Sequence, residues 1–197
     1  MSAPELASVP GRAFGLQLET SASDIVEIAA LRNRASDVAG IALGRGVQLP
    51  ELGHAVVAAD HLALCVRPQR WLVLAPPAAA GASAAGWQAA CSGVAAVLDL
   101  SSALSALEFS GPEARAVLAR SCRIDLDPQA FPAGSACATI IAQVSVIVVA
   151  LASGLLLLTP ATTARHFHEW LVAASRHLGF EPPSQPNVAA VSGDEVS

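Results

Sequence analysis

The sequence predicts an α+β fold in which duplicated β-α-β-β-α-β (ferredoxin-like) halves set two antiparallel sheets back to back or edge to edge, with helices outside. Three observations carry this expectation. Short apolar runs bounded by turn residues alternate with stretches of helical period, strand runs being about 4–8 residues long. The order of elements repeats: LGRGVQLP resembles LARSCRIDLDP, and HLALCVRPQRWLVLAP followed by Trp87 resembles SVIVVALASGLLLLTP followed by Trp170. With 197 residues, 53% hydrophobic and 14% charged, the chain can bury a full core without staples. It has too little polar surface to cover a monomer, so large subunit interfaces are expected.

The elements follow in order. AFGLQLE reads as a strand, and ALRNRASDVAGIALG as a weak helix with Gly44 and Gly46 near its stop. LALCV and WLVLA are strands joined by a tight turn at Arg67-Pro68-Gln69-Arg70. AAGASAAGWQAAC is helical despite its glycines, and AAVLDLS closes the first half as a strand. In the second half SALEFS is a strand and PEARAVLARS a helix. IIAQ, SVIVVA and LLLLT are strands, and TTARHFHEWLVAASRHL is an amphipathic helix with Phe167, Trp170, Leu171 and Ala174 on one face. Residues 1–11 and 181–197 lack periodicity and are expected to be flexible ends. They flank one domain over 12–180, with pseudo-repeats at about 12–100 and 101–180.

The uncharged stretch from Ala138 to Ala164 is long enough to span a bilayer. Gln143 and Ser145 interrupt it and Ser153-Gly154 is a turn dipeptide, so a β-hairpin is the expectation. Net charge is -5, and no basic cluster exceeds the pair Arg32 and Arg34, which argues against nucleic acid or anionic lipid as partner. All eleven basic residues are arginine, which removes a Walker A lysine, Schiff-base chemistry and a lysine general base. Cys65, Cys91, Cys122 and Cys137 are scattered without a CxxC pair and suit free thiols in a reducing compartment; the N-terminus carries no export pattern, so the cytoplasm is expected.

Each candidate site has a structural reading beside it. In SGPEARAVLAR, Pro112 fits the first helical position, Ser110 or Gly111 the cap, and Glu113 the first turn, with Arg120 and Arg123 at the far end. A phosphate cradle there would need bare amides, which Pro112 lacks, so scaffold is expected. GIALGRG is not a dinucleotide fingerprint, and His166 and His168, two apart on a helix, point to different faces and cannot chelate one metal. Arg165 and Glu169 form an i, i+4 pair. Asp99, closing an apolar strand, is the one weak catalytic candidate, with a turn or cap as its alternative role. Arg70 and Trp71 are either a partner contact or a turn and core anchor.

RPQRWLVLAP, VLDLSSALSALEFSGPEARAVLARSCRIDLDPQAFPAG and TPATTARHFHEWL, in this order and spacing, resemble the gamma subunit of heterotetrameric sarcosine oxidase, from about Ala13 to Phe180. That family is similar in fold to the folate-binding domain of aminomethyltransferases. The resemblance implies a non-catalytic subunit of an assembly that oxidatively demethylates sarcosine or a related N-methyl amine and passes the one-carbon unit to tetrahydrofolate. It implies alpha, beta and delta subunits as partners, with FAD, FMN, NAD, tetrahydrofolate and zinc in those chains and no cofactor in this one. Arg70, Trp71, Arg123 and Trp170 are then the candidate subunit contacts. This chain departs from the family pattern at SCRIDL, where a glycine-proline bend is replaced by Ser121 and Arg123, and at ALASGLLLLTPATTA, which has lost charge. A stand-alone folate-binding or aminomethyltransferase-like protein is the alternative, and a membrane-associated adaptor rests only on the uncharged run.

Overall fold

The computed structural model describes residues 16–58 and 60–176, so both expected flexible ends and the last residues of the expected C-terminal helix lie outside the described residues. The described chain runs β1 (Gln17–Ser21), β2 (Asp24–Ala30), α1 (Ala35–Gly44), β3 (His54–Val57), β4 (Leu62–Arg67), β5 (Arg70–Ala75), α2 (Ala82–Ala90) and β6 (Ala95–Asp99). It continues with β7 (Leu104–Ser110), α3 (Ala114–Ala119), β8 (Ala136–Ile141), β9 (Val144–Ala150), β10 (Gly154–Pro160) and α4 (Ala161–Ser175). Sheet one has the order β1-β7-β10-β9-β8 and sheet two β3-β4-β5-β2-β6, with every neighbouring pair antiparallel.

The apolar pattern dictates how these layers stack. β10, GLLLLTP, is leucine at four successive positions because both of its faces are covered. Leu155 and Leu157 face α3 and α4, beside Phe109, Val117, Leu118, Phe167 and Leu171. Leu156 and Leu158 face sheet two, where Ile25, Leu64, Leu72 and Leu74 meet them. Beyond sheet two, Val26, Ile28 and Val73 pack under Val38 and Ala42 of α1 and Trp87 of α2. The result is helices, sheet, sheet, helices. Each leucine buried in this way contributes about 1.5–3 kcal/mol.

Two elements went unread in the sequence, and one is misplaced in the expected halves. β2 was absent from the expectation, yet it is an inner strand of sheet two, paired with both β5 and β6. Glu27 in its middle hides it, because an acid inside a buried strand breaks the apolar run. β3 is four residues long and too short to signal itself. β1 was assigned to the first half but pairs with β7, in the sheet built from the second half, because Leu16 and Leu18 find their cover there.

The run from Ala138 to Ala164 is strand rather than span: β8, β9 and β10 form a meander, with Ser153 and Gly154 at the second turn. The first turn places Ala142 and Gln143 at φ 49° and 67°. These left-handed conformations usually call for Asn or Gly, so the sequence gives little sign of the turn. No helix among the described residues is long and apolar enough to cross a membrane.

The charge inside β2 is held by the β4-β5 hairpin. Glu27 is 4% exposed, and its two oxygens accept hydrogen bonds from Arg67 Nη2 at 3.0 Å and Arg70 Nη1 at 3.1 Å. The arginines are about half exposed and the carboxylate is not, so the cost of breaking the clamp is lopsided. Replacing both arginines by alanine strands a buried charge and is expected to cost about 3 kcal/mol, whereas Glu27→Gln releases hydrated guanidinium groups and costs about 1 kcal/mol. Urea unfolding of both variants checks the order, and the reverse order would mean that Glu27 is solvated.

Gly154 opens β10 against β7, where an added Cβ would meet the Phe109 carbonyl oxygen at 2.7 Å and Ser110 Cβ at 2.7 Å. Gly154→Ala is therefore expected to destabilise by about 1–3 kcal/mol, read as a lowered Tm, while an equal Tm would show that the strand yields without strain.

Candidate functional site

Two concavities of the described surface bear on the candidate sites. The first, of about 330 Å³, lies on the face of sheet one that points towards sheet two, where Leu104, Ile140, Ile147, Leu158 and Pro160 form an apolar floor beside Ser145. The second, of about 440 Å³, lies beside the Ser110-Gly111-Pro112 bend, between the start of α3, the loop at Pro128–Ala133 and the β9-β10 turn.

The second contains the stretch that the sequence offered as a cradle. Gly111 sits at φ 117° and Pro112 and Glu113 form a turn, so α3 begins at Ala114 rather than at Pro112. Glu113 occupies the cap position without a side-chain cap. The basic group here is Arg115, whose Nη1 donates to the Leu126 carbonyl at 2.6 Å and to the Phe131 carbonyl at 3.0 Å. Arg115 was not singled out in the sequence. Its work is to tie α3 to the loop that carries Asp125, Asp127 and Phe131, which is a scaffold role.

Asp99 stands at the end of β6 with its carboxylate in solvent. Oδ1 accepts from the Ser101 amide at 3.0 Å and from Ser101 Oγ at 2.6 Å, and Ser101 Oγ in turn accepts from the Ile25 amide at 3.0 Å. The relay pins the β6-β7 turn to the start of β2. Those Ser101 hydrogen bonds, the side-chain one above all, pull the Asp99 pKa below the ordinary aspartate value. Its ionised form is thus committed to a turn.

The four proposed contacts fall in different surroundings. Trp71 is 8% exposed and its Nε1–H donates to the Pro50 carbonyl at 2.9 Å, among the apolar residues beneath α1 and α2. Of the two roles the sequence left open, partner contact or core anchor, this geometry is that of a core anchor, because burying the ring and satisfying its N–H use both of its handles. Arg70, beside it, is half exposed but tethered to Glu27. Arg123 is exposed after α3. Trp170 is half buried, its ring 5.7 Å from Phe167 on α4.

The histidines stay apart. His166 is exposed, and His168 is half buried, with burial pushing its pKa down against the opposing charge of Glu169. Arg165 and Glu169 pair at 3.5 Å in solvent. Cys65 and Cys91 are buried thiols whose pKa values burial raises, which makes them small hydrophobes rather than nucleophiles. A cation-π contact missed in the sequence places the Arg45 guanidinium 4.7 Å from the Trp87 ring, joining the end of α1 to α2.

The described residues form an α+β double sheet whose polar side chains are largely spent on turns, strand ends and loop ties. Residues 47–186 match the family model described as the GCVT N-terminal domain, and the chain belongs to that family. Two curated relatives are both named sarcosine oxidase subunit gamma. That of Arthrobacter sp is 39% identical over 113 residues, 55% of this chain and 54% of the relative. That of Corynebacterium sp. (strain P-1) is 38% identical over 87 residues, 44% of this chain and 43% of the relative. The chain thus spans about half the length of the curated relatives it matches.

In fold, the chain is similar to a chain of the heterotetrameric sarcosine oxidase from Corynebacterium sp. U-96, solved with pyrrole 2-carboxylate, at a TM-score of 0.76 and 24% identity over 88% of this chain and 90% of that one. It is also similar to the glycine cleavage system aminomethyltransferase T from Bartonella henselae, at a TM-score of 0.64 and 19% identity over 82% of this chain and 46% of that one. The relatives carry the family name that the RPQRWLVLAP and DLSSALSALEFSGPEAR blocks suggested.

The Asp99 geometry gives a pH test. A carboxyl with a lowered pKa adds stability above its unfolded pKa and loses it as pH falls through the folded value. Asp99→Asn should therefore lower the unfolding midpoint at pH 7, with the gap to the parent chain closing below about pH 3.8, the unperturbed aspartate value. A gap that did not narrow at all as the pH fell below 3.8 would assign the effect to something other than the carboxylate.

Proposed function

We propose that this chain is a non-catalytic gamma-type subunit of a sarcosine oxidase-type flavoenzyme that oxidatively demethylates sarcosine or a related N-methyl amine and transfers the one-carbon unit to tetrahydrofolate. The observation that carries this reading is the pairing of two results: relatives named as gamma subunits at 38–39% identity, and a double-sheet fold that follows a chain of the heterotetrameric enzyme over 88% of its length. The chain's own chemistry agrees with a scaffold role, since Arg115, Asp99 and Glu27 are each engaged in holding backbone or hairpin.

On this reading alpha, beta and delta chains are the partners and carry FAD, FMN, NAD, tetrahydrofolate and zinc, and the assembly works in the cytoplasm. Arg70, Arg123 and Trp170 remain the proposed contacts. Residues 12–180 act as one domain. Its two sheets are two uses of one ferredoxin-like unit, each enlarged by an added edge strand, since β2, β4, β5 and β6 stand to one another as β7, β9, β10 and β1 do.

A second reading, a stand-alone folate-binding or aminomethyl-transfer protein, draws on the fold likeness to aminomethyltransferase T. Co-expression with the accompanying subunits, followed by size exclusion with absorbance at flavin wavelengths, separates the two. Co-elution with yellow protein, from a chain colourless by itself, is the expected result. A chain that runs alone and binds tetrahydrofolate stoichiometrically would replace the first reading with the second.

A further inference from the structure

Two five-stranded sheets have four edges, and three of them are closed or guarded. β3 and β8 cover each other where His54 bridges Ser135, the Ala55 amide donates to the Gly134 carbonyl at 2.7 Å, and the Ala136 amide to the Gly53 carbonyl at 2.8 Å. Farther along β8, Cys122 bridges Ile141. β1 carries Glu19 directly opposite Glu108 of β7, both exposed, and two like charges side by side repel an approaching strand.

β6 has no such cover along its length, and its one charge, Asp99, stands at its end. Its sequence, AAVLD, contains no proline, no lysine and no bulge against β2, and Leu98 is 53% exposed. Proteins ordinarily blunt such an edge, because its unpaired amides and carbonyls are a template for another strand.

The hydrogen-bond register shows which groups are on offer. The Leu31 amide donates to the Val94 carbonyl at 2.9 Å and the Leu100 amide to the Ile25 carbonyl at 2.7 Å. In an antiparallel ladder bonded pairs recur every second residue, so Ala96 and Leu98 turn their backbone groups inward to β2. Val97 and Asp99 therefore turn theirs outward, and among the described residues nothing pairs with them. The side chains of Ala96 and Leu98 lie on the face towards sheet one, so an added strand would cover them as it bonded to Val97. The ends of the edge differ in charge: Asp99 closes one, and Arg32 follows Leu31 at the other, exposed and without an acidic partner among the described residues.

We propose that β6 is a docking edge, to which another subunit adds an extended apolar strand with a basic residue opposite Asp99 and an acidic one near Arg32. This rests on the subunit reading above and locates one of its contacts. Main-chain bonds to Val97 and Asp99 supply the affinity, and the charged ends fix the direction of the strand.

The test uses the full chain co-expressed with its neighbouring subunits. Leu98→Lys places a charge on the docking face at an exposed position. Val97→Pro removes an outward amide that no intrachain bond uses, a substitution edge strands tolerate. Thermal unfolding of each isolated variant confirms that it is folded, and if the proline variant is not, Leu98→Lys decides. The expected result is at least a tenfold loss of co-purified complex for each folded variant, with the Val97 and Asp99 amides exchanging at least a hundredfold more slowly in the parent complex than in the free chain. Complexes that form as well with the folded variants as with the parent, with both amides still exchanging freely, overturn the docking edge and leave the subunit reading intact. A parent chain that joins no partner overturns both. Self-association of the parent chain, abolished by Leu98→Lys, overturns the proposed occupant in favour of a second copy of this chain.

Discussion

The layer between the two sheets is the constraint on which the rest depends. Ile25, Leu64, Leu72 and Leu74 press against Val149, Leu156 and Leu158, and the same strands must present a second apolar face to the helices. A strand covered on both faces has no room for alternating polar residues, which is why the centre of the molecule reads as unbroken Leu, Val and Ile. That requirement accounts for much of the 53% hydrophobic composition, and it leaves charge only at margins. Glu27 is the exception that shows the rule, tolerated because two arginines from one hairpin reach it.

What could be read in the sequence follows from the same constraint. β4, β5, β9 and β10 were legible because burial on two faces makes long apolar runs, and α4 because its apolar residues keep a helical period. The stretches that escaped were those whose partners are remote. β2 is interrupted by Glu27, and only the hairpin forty residues later explains why an acid can be there. The start of α3 was placed two residues early because Pro112 suits a first helical turn, whereas here Gly111 at φ 117° turns the chain and Pro112 stays in the bend.

The functional side was legible in part. Asp99 was singled out for its place at a strand end, and its turn-forming alternative is the geometry found. Trp71 was ambiguous because an aromatic beside a turn looks alike whether it points in or out; Pro50 settles the matter, and that contact is invisible in sequence. Arg115 and the Arg45–Trp87 contact were missed because their partners are backbone carbonyls and a ring on another helix, neither of which leaves a local motif.

Strand β1 sits in a sheet whose other members are encoded far away. Gln17 pairs with Ser110, about 90 residues downstream. On the ribosome, at about 5–20 residues per second, β1 emerges roughly 5–20 s before its partner exists. All of sheet two is synthesised inside that interval and can close by itself, apart from its contact with β8. Sheet one must then recover a strand that has waited in solution with Leu16 and Leu18 uncovered. The order of synthesis thus makes sheet one the late-forming half, and its first strand the segment most open to chaperones or to a neighbouring nascent chain.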